Sequence, residues 1–200
     1  MTARAAIAGL LFTLSLTAPA FAQDAEEAEA QLPANTSTLD RKVRLDRLLD
    51  KLATAPTPDE AKRYEASIDV IWSKSGSDTA DLLTARAAQM VADDNKDDAL
   101  RLLDAALEAK PDFAEGWNQR ATLFFLNGDY ASAMSAIYET LRYEPRHYGA
   151  WAGLGKILQQ TGDEGKALEA YRRALAIHPH LEGLKKEADE LEIKLRGEEL

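Results

Sequence analysis

The stretch Trp151–Pro179, WAGLGKILQQTGDEGKALEAYRRALAIHP, reads as two helices folded back on each other. Gly162 marks the reversal, because a backbone turning through the left-handed region favours a residue without Cβ. Trp151 is a large anchor where the two helices meet. Gly155 and Ala167 are small where their backbones must approach closely. Pro179 ends the second helix, since proline breaks the hydrogen-bond ladder and clashes with the preceding turn.

The same punctuation stands 34 residues earlier. FLNGDYASAM, residues 125–134, carries Gly128 and Asp129 where the later copy has Gly162 and Asp163. Extending this register divides residues 80–181 into three gapless blocks of 34: 80–113, 114–147 and 148–181. Leu83, Trp117 and Trp151 coincide, as do the small residues Ala87, Ala121 and Gly155. Ala99, Ala133 and Ala167 align, then Leu107, Leu141 and Leu175, then Pro111, Pro145 and Pro179. The first block departs twice. It has leucine for the aromatic anchor, and Asp94 at the turn glycine, a residue that tolerates the left-handed region less well.

A 34-residue period with aromatic, small, small and proline at these places resembles the tetratricopeptide repeat, a helix–turn–helix unit. The resemblance covers about half of the chain. It implies an all-α fold, a right-handed superhelix of three repeats with helical caps at both ends. One such unit cannot bury its apolar face alone, so stacking supplies the core.

The flanks read as helical too. In residues 39–55, Val43, Leu45, Leu48, Leu49 and Leu52 share one helical side. Thr57, Pro58 and Glu60 then form a capping-box start, followed by a stripe of Tyr64, Ile68, Ile71 and Trp72. Residues 39–79 are expected to be an aberrant repeat capping the N-terminal end of the stack. Residues 182–200, with Leu184, Leu191 and Leu195 on one side, are expected to cap the other end. Residues 1–22 read as a cleavable secretory signal: Arg4, an uncharged apolar run, and Ala20-Phe21-Ala22 before Gln23. Residues 23–38 read as a disordered acidic leader with little to bury. The expected location is therefore the periplasm, with no stable membrane insertion after the signal is removed.

Composition narrows the function. A formal net charge of −10 argues against nucleic acid or an anionic membrane as partner. With no cysteine, thiol catalysis, thiolate metal sites and disulfides are all excluded. No nucleophile elbow, phosphate loop or zinc-protease motif occurs, so neither catalytic residues nor a cofactor is expected. His178 and His180 flank the connector proline Pro179 and are expected to be exposed loop residues rather than metal ligands. Tyr143, His147 and Tyr148, with Arg142 and Arg146, form an aromatic-basic cluster best read as inter-repeat packing.

Two features remain for binding. The family's consensus leucine before the first small residue is kept as Leu154 but replaced by Arg86 and Arg120. One period apart, the two arginines are expected to form a ladder, paired with nearby carboxylates such as Asp104 or gripping an anion. In the family the first helix of each unit lines a concave groove. The resemblance places Asn118, Thr122, Phe125, Lys156 and Gln159 there, alongside Asp81, Thr84, Ala88 and Val91 of the first block. Asn118 and Lys156 do not reproduce the family's carboxylate clamp. The expected function is a protein-binding scaffold of the cell envelope, with a self-associating structural protein as the alternative.

Overall fold

The computed structural model describes residues 38–198, and all regular structure among them is helical. The helices are α1 (Thr38–Ala53), α2 (Pro58–Trp72), α3 (Asp78–Ala92), α4 (Lys96–Ala109), α5 (Ala114–Leu126), α6 (Tyr130–Tyr143), α7 (Tyr148–Gln160), α8 (Glu164–Ile177) and α9 (Glu182–Glu198). The expected signal and nearly all of the leader lie outside the described residues.

Helices α3–α4, α5–α6 and α7–α8 are the three repeats, each an antiparallel pair joined by a tight turn. The turn glycines hold the conformation that their positions demand, with φ of 76° at Gly128 and 89° at Gly162. Asp94 adopts the same region at φ 56°, so the first repeat makes the turn against the preference of its side chain. The residue after each glycine caps the second helix. Asp129 Oδ1 accepts the Ser132 N–H at 3.0 Å, and Asp163 Oδ1 accepts that of Lys166 at 3.3 Å. Trp117 and Trp151 do more than fill space. Their indole N–H groups donate to the carbonyls of Pro111 and Pro145, each at 2.9 Å, tying the first helix of one repeat to the proline that ends the previous one.

Stacking buries Ala121, Ala133, Ile137, Leu154, Ile157, Ala167 and Tyr171 in one core, to which α9 adds Ala188 and Leu191. Helix α9 packs along α8 as a further first helix would, and an Arg172–Glu192 ion pair of 2.9 Å helps to hold it there.

The N-terminal pair departs from expectation. Helices α1 and α2 pack on each other, but α2 does not lie along α3 as α4 lies along α5. Instead the pair crosses the edge formed by the connectors after α6 and α8. Leu45, Leu49, Leu52, Ile68, Ile71 and Trp72 form a separate core closed by Tyr148, with Ile177 and Leu181 packed against it. Val43 alone of the α1 stripe is left exposed. The pair is thus a strap over the connector edge, not a repeat that caps the stack. Tyr148 is a buried member of this core, and the connector residue His147 stacks on its Trp72.

Candidate functional site

The first helices α5 and α7, with Ile137 of α6, leave between them a hollow of about 120 Å³ lined by Asn118, Ala121, Thr122, Phe125, Ile137, Gly149, Gly153, Lys156 and Ile157. Four of the five groove residues expected from sequence therefore meet around one opening. The fifth, Gln159, does not line it; its Oε1 accepts the Tyr171 hydroxyl at 2.9 Å. No residue of the strap borders the hollow. Phe125 is half-buried and packs against Tyr130, ring centroids 5.7 Å apart.

The polar groups around the opening already have partners. The Asn118 amide donates to Glu115 Oε2 at 3.3 Å, and the Thr122 hydroxyl donates to the Asn118 carbonyl at 3.0 Å. Lys156 reaches α9, where its ammonium meets both carboxylate oxygens of Glu187 at 2.7 and 2.6 Å. Glu115 also accepts from Gln119 at 3.1 Å and lies 3.0 Å from His147 Nε2. Thr84, expected in the groove, is buried. Sequence reasoning missed Ile137, Gly153, Ile157 and Glu187. Glu187 stands one period beyond Gly153, off the groove positions that the register supplies, so continuing that register through α9 does not reveal it.

The arginines do not form a ladder. Arg120 Nε donates to Asp104 at 2.7 Å, and its guanidinium lies over the Phe124 ring at 4.6 Å. Arg86 is exposed, and no carboxylate pairs with it among the described residues. The cause is the strap. The position one period before Asp104 is Val70, on the helix that fails to stack on α3, so Arg86 has neither the acceptor nor the covering helix that Arg120 has.

Of the two histidines expected to be exposed, His178 is buried at 3% exposure and His180 is half-buried; His147, expected to pack between repeats, is also 3% exposed. His147 stacks on Trp72 at 4.1 Å with ring planes 7° apart, and its Nδ1 caps α7 by accepting the Ala150 N–H at 3.1 Å. His178 meets Tyr148 edge-on at 5.1 Å and lies 3.6 Å from Glu65. His180 Nε2 lies 2.8 Å from the Ala55 carbonyl. Arg146, from the aromatic-basic cluster, pairs with Asp50 of α1 at 2.8 Å, while Arg142 pairs with Glu139 at 2.5 Å. These groups attach the strap.

Known proteins share this architecture. Tetratricopeptide-repeat profiles match residues 91–142 and 124–186. A TPR repeat-containing protein of Rhizobium etli is 37% identical over 188 residues, 94% of this chain and 91% of that one. The chain belongs to the tetratricopeptide-repeat proteins. Among solved structures, the first TPR domain of Spaghetti (RPAP3) bound to the HSP90 peptide SRMEEVD superposes with a TM-score of 0.58 at 18% identity, over 60% of this chain and 95% of that domain. The Sgt2 TPR domain of Aspergillus fumigatus gives 0.56 at 20% identity, over 60% and 81%. Both likenesses cover the fold.

Proposed function

We propose that this protein is a non-catalytic adaptor of the cell envelope, exported to the periplasm, that holds a segment of a partner protein in its concave groove. The observation that carries the reading is the open hollow between α5 and α7, where Asn118, Thr122, Phe125 and Lys156 converge. Fold likeness supports it, because the RPAP3 domain carries an HSP90 peptide. The non-catalytic part rests on the absence of any catalytic motif in the sequence. The periplasmic part rests on the signal-like residues 1–22; among the described residues no helix is long and apolar enough to cross a membrane. A photocrosslinking residue at Thr122, in cells of the native host, should yield a discrete adduct that the same probe at Glu169, on exposed α8 surface, does not. Identical adducts from both positions would remove the reading. Release by osmotic shock tests the location.

A second reading, self-association, is favoured by Ile193, which is 71% exposed on α9. Light scattering of the intact protein and of Ile193→Glu separates the two. A dimer dispersed by the substitution would establish self-association.

A further inference from the structure

We propose that the groove takes an amphipathic helix by its uncharged apolar face, and not an extended segment or an acidic chain terminus. The inference rests on the groove reading above and names the chemistry of its occupant.

The first observation is that the donors lining the hollow are already engaged: the Asn118 amide N–H, the Thr122 hydroxyl and the Lys156 ammonium each have a partner within the protein. An extended segment brings an unpaired N–H and C=O at every residue, and burying these without partners is costly. A helix satisfies its own backbone and asks of the groove only apolar area.

The second observation is charge. Along the first-helix register of α3, α5, α7 and α9, the cations are Lys156 and Lys186. Lys156 is held by Glu187 at 2.6 Å, and Lys186 stands 3.7 Å from Glu190. No unpaired cation remains at these positions to grip a terminal carboxylate.

The third is the spacing of apolar groups. Val91, Phe125 and Ile193 occupy the same place in α3, α5 and α9, with Gln159 between them in α7. Val91 and Ile193 are exposed, and Phe125 is half-buried at the mouth of the hollow. Packed helices stand about 8–10 Å apart, and residues seven apart on a helix are separated by about 10.5 Å along its axis. Apolar residues at i and i+7 therefore meet Val91 and Phe125 on the successive first helices α3 and α5, while Ile193 stands two first helices beyond Phe125. The hollow of about 120 Å³ suits one branched aliphatic side chain.

The test is competitive selection against the intact protein with two displayed libraries. One presents 18-residue amphipathic helices with Leu, Ile, Val, Met or Phe on the apolar face; the other presents seven-residue linear peptides with free acidic C-termini. Counter-selection uses Thr122→Trp, which fills the hollow from an exposed position, and Phe125→Lys as a second variant; both are first shown to melt as the parent does. The expected result is helical binders that weaken at least tenfold on both variants, yet less than threefold on Lys156→Ala. Groove-dependent binders from the linear library alone would overturn the inference while leaving the groove reading intact. Helical binders indifferent to both variants would overturn it too. Groove-dependent binders from neither library would overturn the groove reading itself, and this inference with it.

Discussion

The ring of Tyr171 occupies the space that a Cβ on residue 155 would need. A methyl group at Gly155 would lie 2.3 Å from two ring carbons of Tyr171 and 3.1 Å from the Ala167 carbonyl oxygen. In the other repeats the same two positions hold Ala121 with Ile137 and Ala87 with Leu103. The pair is thus matched by volume: the flat ring excludes the methyl that the aliphatic side chains accommodate.

Gly155→Ala should therefore destabilise the protein by about 1–3 kcal/mol, the usual cost of overpacking a well-filled core. Adding Tyr171→Ile rebuilds the pairing of the second repeat and should recover part of that loss. Urea denaturation of the two single variants and the double variant checks this. Strict additivity would show that the two positions do not compete for space.

Replacing Trp72 by alanine removes the stack on His147 and opens the core beneath the strap. Large aromatic truncations in cores cost about 3–5 kcal/mol. The expected signature is local: faster amide exchange and proteolysis in α1 and α2, with exchange in α7 and α8 less affected. Uniform acceleration across all helices would contradict the strap's standing as a distinct packing unit.

Acid should loosen the strap. Burial pushes the His178 imidazole below its ordinary pKa, against the opposing pull of Glu65. A group whose folded pKa is depressed binds fewer protons folded than unfolded. Its contribution is therefore present above the unfolded value of about 6.5 and is lost as pH falls below it. Asp69, raised by burial and by Glu65, works the other way within the carboxylate range. The urea midpoint should fall between pH 7.5 and 5.5, and fall less in His178→Phe. Equal slopes in both proteins would refute the assignment.

Arg120 and Arg86 should respond differently to leucine, the residue of the third repeat at this position. Arg120 is a partly covered ion pair, so Arg120→Leu should change stability by no more than about 1 kcal/mol in either direction, while Arg120→Ala also loses the stem packed on Phe124. Arg86→Leu only exposes more apolar surface and should lower solubility without raising the melting temperature. Thermal melts with light-scattering detection distinguish these outcomes.

The three repeats were legible because each matched position answers to local physics: a turn needs Gly128 or Gly162, a helix end needs Pro145 or Pro179, and a close approach needs Gly155. Asn118, Thr122, Phe125 and Lys156, which the family's register places together, line one hollow. The placement of α1 and α2 did not. Their stripes say which faces are apolar, but not whether Trp72 will meet α3 or the connector His147 more than seventy residues later. The exposure of His178 and the fate of Arg86 depended on that one non-local choice, and both were misread with it. Glu187 was missed because its position, one period after Gly153, is not among the groove positions that the register supplies.

Stacked repeats ordinarily interact only with their neighbours, so their unfolding can proceed piecewise from an end. Here His180 lies against the Ala55 carbonyl across 125 positions of sequence, and Arg146 reaches Asp46 and Asp50 across about a hundred. Such contacts close a loop around the stack. Fraying the third repeat must also undock α1 and α2, so the strap and the third repeat are coupled in cooperativity. The solenoid should melt in a single transition whose folding rate is slowed by the high contact order that the strap introduces.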